Sequence, residues 1–572
     1  MTSGEFSYRT RTQNLSRLAS DVFDLLIIGG GITGAAVARD AASRGLKVAL
    51  IERSDFAFGT SSRSSKLIHG GLRYLQNFEL SLVFEALRER TFLLKTVPHL
   101  VRPLKFFMPV YSTDKRGMSL LSAGLWLYDT LSLMRTPGVH KRLNKAQLLA
   151  EFPAIENKNL KGGFQYFDAS MWDDVLAIET LRSATELGAV VANYVEAVAP
   201  VWDGEFVTGF RVRDQEKKPG QGELIIKAKQ VVSCVGPWTD QLGRLVSQSW
   251  GKWINPSKGV HLVFSLDRLN IPGAFVMSNN EDLRISFAIP RPDIGGGVVI
   301  VGTTDGPSPE NPDLITVESA EVDYLMALLT QYFPSLKLTR DDIISTYVGV
   351  RPLMGAANSD KKTVLQKVSR EHHIEMGPGG VVFVAGGKYT THRTMAKEVV
   401  DHALHTWKSR LKDGNLGEFP KNLGRSNTKT PVNPLVSPEY LDDMRTRSQK
   451  LGLHITDQLL IRYGSAFFEM VEVDQKRKGE SGPKGFEFIE DQLRMAIRRE
   501  MVVRLSDFYF RRSGLFLALK DHGLSWLDRL LVVWAEELGD TSGRGAAKTE
   551  AEIEAERLRT IADIEQASIW GK

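Results

Sequence analysis

The apolar run Asp21 to Ile28 (DVFDLLII) leads directly into Gly29-Gly30-Gly31-Ile32-Thr33-Gly34, and the Ala-rich stretch Ala35 to Ala42 comes next. An apolar run without polar alternation suits a central parallel strand covered on both faces, and the alanines suit a helix. The residues between them fit G-x-G-x-x-G at the one place where that pattern has a mechanism. Gly29 permits the tight turn, Gly31 lets backbone approach a diphosphate, and Gly34 allows close helix packing, while the helix N-terminus offers amide donors and positive potential. Lys47 to Glu52 (KVALIE) supplies the next strand and closes a βαβ unit. Glu52 then places a carboxylate where adenosine ribose hydroxyls can donate to it, which turns a weak glycine pattern into a strong dinucleotide signature and disfavours a 2′-phosphate. Arg53 beside it joins the cofactor set.

That signature does not separate a nicotinamide from a flavin dinucleotide, so the decision rests on the loop beyond the second strand. Residues Gly59 to Arg73 read GTSSRSSKLIHGGLR. The hydroxyls of Thr60, Ser61 and Ser65, the ammonium of Lys66 and the glycine at Gly70 suit a loop that wraps a pyrophosphate and runs beneath a flavin ring. A nicotinamide enzyme has no evident use for it, and FAD is the expected cofactor.

The chain has 572 residues, 42% of them hydrophobic and 25% charged, which is ordinary globular composition on a chain too long for one core. Its one cysteine, Cys234, permits no internal disulfide and no Cys-rich metal site, so no metal is expected. A net charge of +5 is a mild excess that favours phosphorylated substrates or anionic lipid without arguing for nucleic acid. No stretch has the apolar length of a spanning helix. Met118 to Met134 (MSLLSAGLWLYDTLSLM) comes nearest and reads as a buried or interfacial helix. Residues 1–20 are expected to be a disordered or loosely docked arm, with a mitochondrial presequence as the lesser reading. Residues 21–408 read as an α/β region with strand-like segments such as Lys227 to Val235, Val298 to Gly302 and Gly380 to Ala385. Residues 409–437, rich in Gly, Pro, Asn and Lys, read as a linker. Helical spacing then predicts a small helical domain over 438–540 and a charged tail helix within 541–572.

Several stretches in order resemble one family, the FAD-dependent glycerol-3-phosphate dehydrogenases of bacterial respiratory and mitochondrial type. They are IIGGGITGAAVARDAASRGLKVALIE, SSKLIHGGLRYL from Ser64, VVSCVGPWTD from Val231, VGTTDG from Val301, YVGVRPL from Tyr347 and GGKYTTHR from Gly386. The resemblance spans about Asp21 to Leu538. It implies a Rossmann-type FAD-binding domain interleaved with a substrate domain on an antiparallel sheet, as in glutathione-reductase and amino-acid-oxidase-like flavoproteins, and a C-terminal helical domain. It implies oxidation of sn-glycerol 3-phosphate to dihydroxyacetone phosphate by hydride transfer to flavin N5, with electrons passed to membrane quinone.

Such chemistry needs a phosphate clamp, an acceptor for the C2 hydroxyl proton, and positive charge near the developing alkoxide and the reduced flavin. At matching positions His69 is the expected proton acceptor, Arg73 a forked phosphate ligand, and Arg351 and Lys388 the cations of the reacting centre. If the segment after the loop is helical, His69 and Arg73 share one face. Tyr74 and His261 are further substrate-site candidates, His261 with the weaker claim because a histidine inside a strand is commonly structural. Gly236, Trp238, Gly387 and Thr390 complete the expected cofactor contacts. Family members often carry Arg two residues after an Asp pair; here Leu176 follows Asp173-Asp174 and any role of that Arg is in doubt. His392, where many members have tyrosine, reads as packing.

Oxygen in place of quinone would make the same half-reaction a glycerol-3-phosphate oxidase. The segments Lys105 to Tyr111, Met118 to Met134 and Phe508 to Leu519, with basic residues in or beside them, favour a peripheral protein on anionic lipid at the cytoplasmic face of an inner membrane, with a cytoplasmic location as the alternative. A homodimer is left open.

Overall fold

The computed structural model describes residues 5–72, 79–218, 220–279, 284–355, 372–411, 485–486, 488–539 and 547–569, with a few positions between 419 and 463. Two sheets organise them. In the first, Val382–Gly386, Glu223–Ser233, Val22–Ile28, Val48–Ile51 and Val190–Ala192 run parallel in that spatial order. His372–Met376 pairs antiparallel on one edge, and the hairpin Val195–Asp203 / Phe206–Asp214 pairs along the start of Glu223–Ser233. The buried apolar character of Leu25 to Ile28 follows from its central place, with strands on both sides and helices Ile32–Ser43 and His392–Leu411 against one face.

The second sheet has ten strands and is almost wholly antiparallel. Its long ribs are Val101–Tyr111 and Leu160–Met171 at one end, and Ser257–Ser265 with Ile343–Arg351 at the other. The helices Ile489–Arg499, Leu505–Arg511 and Leu527–Gly539 share one apolar core with this sheet, where Leu493, Phe508 and Leu530 meet Val263, Ile289 and Ile300. The α/β architecture with an antiparallel substrate sheet and C-terminal helices therefore stands as expected.

Several local expectations differ. The described residues before Asp21 are not a loose arm: Tyr8–Ser20 is a capped helix docked on the first sheet. Its Arg11 pairs with buried Asp214 at 2.6 Å, Asn14 Nδ2 donates to the Val191 carbonyl at 2.9 Å, and Leu18 is fully buried. Lys105 to Tyr111 belongs to a sheet strand, and Phe508 to Leu519 lies in two short helices whose Phe508, Tyr509 and Leu515 are fully buried. Both segments are core, because their apolar side chains fill the cluster beneath the second sheet. Met118–Leu131 is a helix that does keep apolar residues exposed, among them Leu120, Trp126 and Leu127. The expected linker and the opening of the expected helical domain lie mostly outside the described residues, so their boundaries rest on sequence alone.

Candidate active site

One cavity of about 640 Å³ runs between the two sheets, and residues from nearly every expected motif line it. At one end stands the glycine turn. Gly29 has φ +109°, and a Cβ there would come within 2.5 Å of the Cys234 carbonyl oxygen, so the close approach of the chain just beyond the paired strands Val22–Ile28 and Glu223–Ser233 admits only glycine. Gly34 is packed as the pattern requires, since its Cβ would strike the Gly29 carbonyl oxygen at 1.9 Å. A Cβ at Gly31 would stand 3.0 Å from Ser61 Oγ, the hydroxyl that accepts from Ile32 N–H at 2.9 Å. Loop and turn thus form a bare backbone cradle of the kind a diphosphate fills.

Glu52 lines the cavity and buttresses the turn, accepting from Gly30 N–H at 2.7 Å and Ser54 N–H at 2.9 Å. Burial raises its pKa above the usual carboxylate range, opposed by those two amides. The hairpin residues Val195 to Val198 and Arg213 close the same end. These residues carry no local signal, since only long-range pairing brings the hairpin to the cavity. The cradle, the acidic strand end and the hydroxyl loop fit an adenine dinucleotide, and the cavity continues beyond them far enough for a flavin.

The other end is built from the second sheet and the turn after Val382–Gly386. Arg351 closes its strand, and its guanidinium is held in a fixed pose. Nη1 donates to Ser257 Oγ and the Lys258 carbonyl, each at 3.1 Å, and meets Asp305 at 3.3 Å, while Nη2 donates to Thr303 Oγ1 at 2.9 Å. Gly259 makes room for it. Lys388 and Thr390 line the cavity after Gly386 and Gly387, whose φ values of +73° and +89° bend the chain towards it. His69 lines it directly after the short strand Leu67–Ile68, and neither it nor Gly70 and Gly71 is helical. Arg73 and Tyr74 lie outside the described residues.

His261 lines the cavity from mid-strand, stacked on Tyr347 with centroids 4.6 Å apart and with Nε2 2.9 Å from Ser65 Oγ. Burial, with Arg351 and Lys66 nearby, pushes its pKa down to about 3, so the ring is neutral. Its Nδ1 is enclosed without a hydrogen-bond partner. His392 is buried against the Tyr389 carbonyl and packs as expected.

Thr60, Ser61, Ser65, Gly236, Trp238 and Arg53 also line the cavity. Lys66 and Gly70 do not, which corrects two expected cofactor contacts. Lys66 is buried and turned to Asp173, with Asp174 at 3.7 Å, because a buried ammonium needs a carboxylate. Gly70 serves packing, since its Cβ would meet Leu87 at 2.4 Å and Tyr128 Oη at 2.5 Å. Leu176 lies in the apolar core. Gly259 and Gly349 line the cavity without having been expected there, although glycines two residues from His261 and Arg351 inside strands are a signal of close approach.

Comparisons with known proteins agree with this geometry. The family model described as FAD dependent oxidoreductase matches residues 24–401, and the model described as C-terminal domain of alpha-glycerophosphate oxidase matches residues 429–544. The aerobic glycerol-3-phosphate dehydrogenase of Staphylococcus aureus is 34% identical over 541 residues, covering 93% of this chain and 94% of that relative. The structure of the glycerol-3-phosphate dehydrogenase from Bacillus halodurans complexed with FAD superposes with a TM-score of 0.75 at 27% identity over 99% of both chains. The L-alpha-glycerophosphate oxidase from Mycoplasma pneumoniae, at 18% identity and a TM-score of 0.50, shares the fold over 71% of this chain and 98% of its own.

Proposed function

This chain belongs to the FAD-dependent glycerol-3-phosphate dehydrogenase family, and from that membership we propose that it oxidises sn-glycerol 3-phosphate at C2 to dihydroxyacetone phosphate and passes the electrons to a membrane quinone. The observation that carries this reading is the continuity of one cavity from the Gly29–Gly31 cradle to His69, Arg351 and Lys388. Bound FAD supplies the hydride acceptor, flavin N5.

The chain's own groups have the remaining work. Arg351 brings a fixed positive charge to the cavity wall for an anionic substrate, and its bonds to Thr303, Ser257 and Asp305 remove the cost of orienting it. Arg73 is the further phosphate ligand that the family resemblance implies, and Tyr74 is a substrate-site candidate beside it. His69, on the cavity wall, takes the C2 hydroxyl proton. His261 stays uncharged and acts through Ser65, fixing the loop beneath the reacting centre. Lys388 adds positive charge where the reduced cofactor needs it.

The membrane reading rests on one helix and the turn after it. Leu120, Trp126, Leu127, Leu133 and Met134 are exposed, with Lys115, Arg135, Lys141 and Arg142 exposed around them. An apolar face rimmed by cations suits an anionic lipid surface. Among the described residues no helix is long and apolar enough to cross a membrane. Reoxidation of substrate-reduced enzyme tests the acceptor: a soluble quinone reoxidising the flavin much faster than oxygen supports the dehydrogenase, and fast oxygen reoxidation with peroxide release makes the chain an oxidase.

A further inference from the structure

After the short strand Gly306–Pro307, which pairs with the start of Ser257–Ser265, the chain leaves the second sheet and crosses to the wall of the FAD-binding region. Pro312 is buried at the crossing, and Asn311 Oδ1 accepts from Asp313 N–H at 3.1 Å to fix the turn. The Asp313 carboxylate then spans two cavity-lining side chains. Arg53 reaches it with both terminal guanidinium nitrogens, Nη1 at 3.2 Å, and Trp238 Nε1 donates to it at 3.0 Å. The Arg53 guanidinium also lies 4.6 Å above the Trp238 ring, and Gln241, another lining residue, donates to Asn311 at 3.1 Å. One strap from the substrate sheet therefore ties together Arg53, Trp238 and Gln241.

Two features bear on how firmly this strap holds and on what it encloses. The Arg53 and Asp313 side chains are 33% and 37% exposed, so water competes for their ion pair and little holds it shut. The wall nearby is cationic as well. Arg63 lines the cavity with its guanidinium 4.9 Å over the Phe58 ring, and among the described residues no carboxylate lies within ion-pair distance of it. A closed strap thus encloses a channel that suits an anionic guest such as the cofactor's diphosphate.

We propose that Asp313 latches this strap over the FAD channel and sets how fast the cofactor leaves and enters, without touching the reacting end of the site. The proposal rests on FAD being the cofactor and not on the identity of the substrate or electron acceptor.

The test compares wild-type holoenzyme with Asp313→Ala and Asp313→Glu. Release is followed as flavin fluorescence after dilution, and rebinding as recovery of bound-flavin absorbance when FAD is added to apoprotein. Loss of the ion pair and the indole bond together should speed release on the order of tenfold in Asp313→Ala. Rebinding should quicken too, so the dissociation constant changes less than either rate, while the bound-flavin spectrum stays as in wild type. Asp313→Glu should restore part of the effect, and added salt should speed release from wild type more than from Asp313→Ala. Unchanged release overturns the latch. Faster release with unchanged or slower rebinding also overturns it, because that pattern marks a lost cofactor contact or a damaged fold.

Discussion

Gly259 and Gly349 are register partners on neighbouring strands, and the notch they leave is filled by two arginines. Arg351 Nη2 stands 2.3 Å from where a Cβ of residue 259 would be, and the Arg63 carbonyl oxygen stands 2.6 Å from where a Cβ of residue 349 would be. The first glycine makes room for the Arg351 guanidinium; the second lets the loop that carries Arg63 lie on the sheet.

Alanine at the two positions should therefore fail in different ways. Gly259→Ala displaces Arg351 and should raise KM for glycerol 3-phosphate about tenfold or more with flavin content intact, the scale of a misaligned charge-assisted bond. Gly349→Ala lifts the loop and should lower bound flavin instead. Steady-state kinetics and the flavin-to-protein absorbance ratio of both variants separate the outcomes, and identical behaviour would contradict the assignment.

Gly31→Ala puts a methyl group 3.0 Å from Ser61 Oγ, against the hydroxyl that orders the helix N-terminus. We expect FAD affinity to fall at least tenfold, as when a charged ligand loses one or two hydrogen bonds. Titration of apoprotein with FAD checks this, and wild-type affinity in the variant would remove the turn from the cofactor site.

The two cavity imidazoles should separate by pH. His69→Asn should lower kcat by a factor of roughly a hundred or more and abolish the acid limb of the kcat profile, as loss of a general base does. His261 is neutral throughout the working range, so His261→Asn should alter KM or flavin binding and leave the acid limb in place. An acid limb that vanishes with His261 and persists without His69 would exchange their roles.

Glu556 on the helix Glu550–Ser568 accepts from Leu505 N–H at 2.6 Å, and burial raises its pKa from 4.5 to about 7. A carboxyl raised on folding favours the folded state while protonated. Its contribution is complete below about pH 4.5 and is lost as pH rises through about 7. Glu556→Gln keeps an acceptor for Leu505 and carries no charge. It should raise the melting temperature at pH 8 and lose that advantage near pH 4.5, a contrast that thermal melts at the two pH values measure.

The glycine turn and the strands around it were legible because their constraints are local: a positive φ, a close backbone approach, an unbroken apolar run. Arg351 and Lys388, named from the family stretches that hold them, both line the cavity. Lys66 was misread because a polar residue in a glycine-rich loop looks the same whether it faces a ligand or a carboxylate 107 positions away. The docked N-terminal helix was missed for a related reason, since Arg11 and Asn14 find their partners at Asp214 and Val191. Asp313 gives no local sign of its reach to Arg53 and Trp238, and Phe508 to Leu519 reads as amphipathic until the second sheet is present to bury it.

Anaerobic addition of sn-glycerol 3-phosphate to the yellow holoenzyme, with glycerol as the control, tests the central claim most directly. A phosphate held by charge-assisted bonds worth about 1.5–3 kcal/mol each should make bleaching by glycerol at least roughly a hundredfold less efficient. Rapid bleaching by sn-glycerol 3-phosphate, with dihydroxyacetone phosphate as product and negligible bleaching by glycerol, is the predicted result. A flavin that stays oxidised with sn-glycerol 3-phosphate, or that glycerol bleaches equally well, would contradict the account.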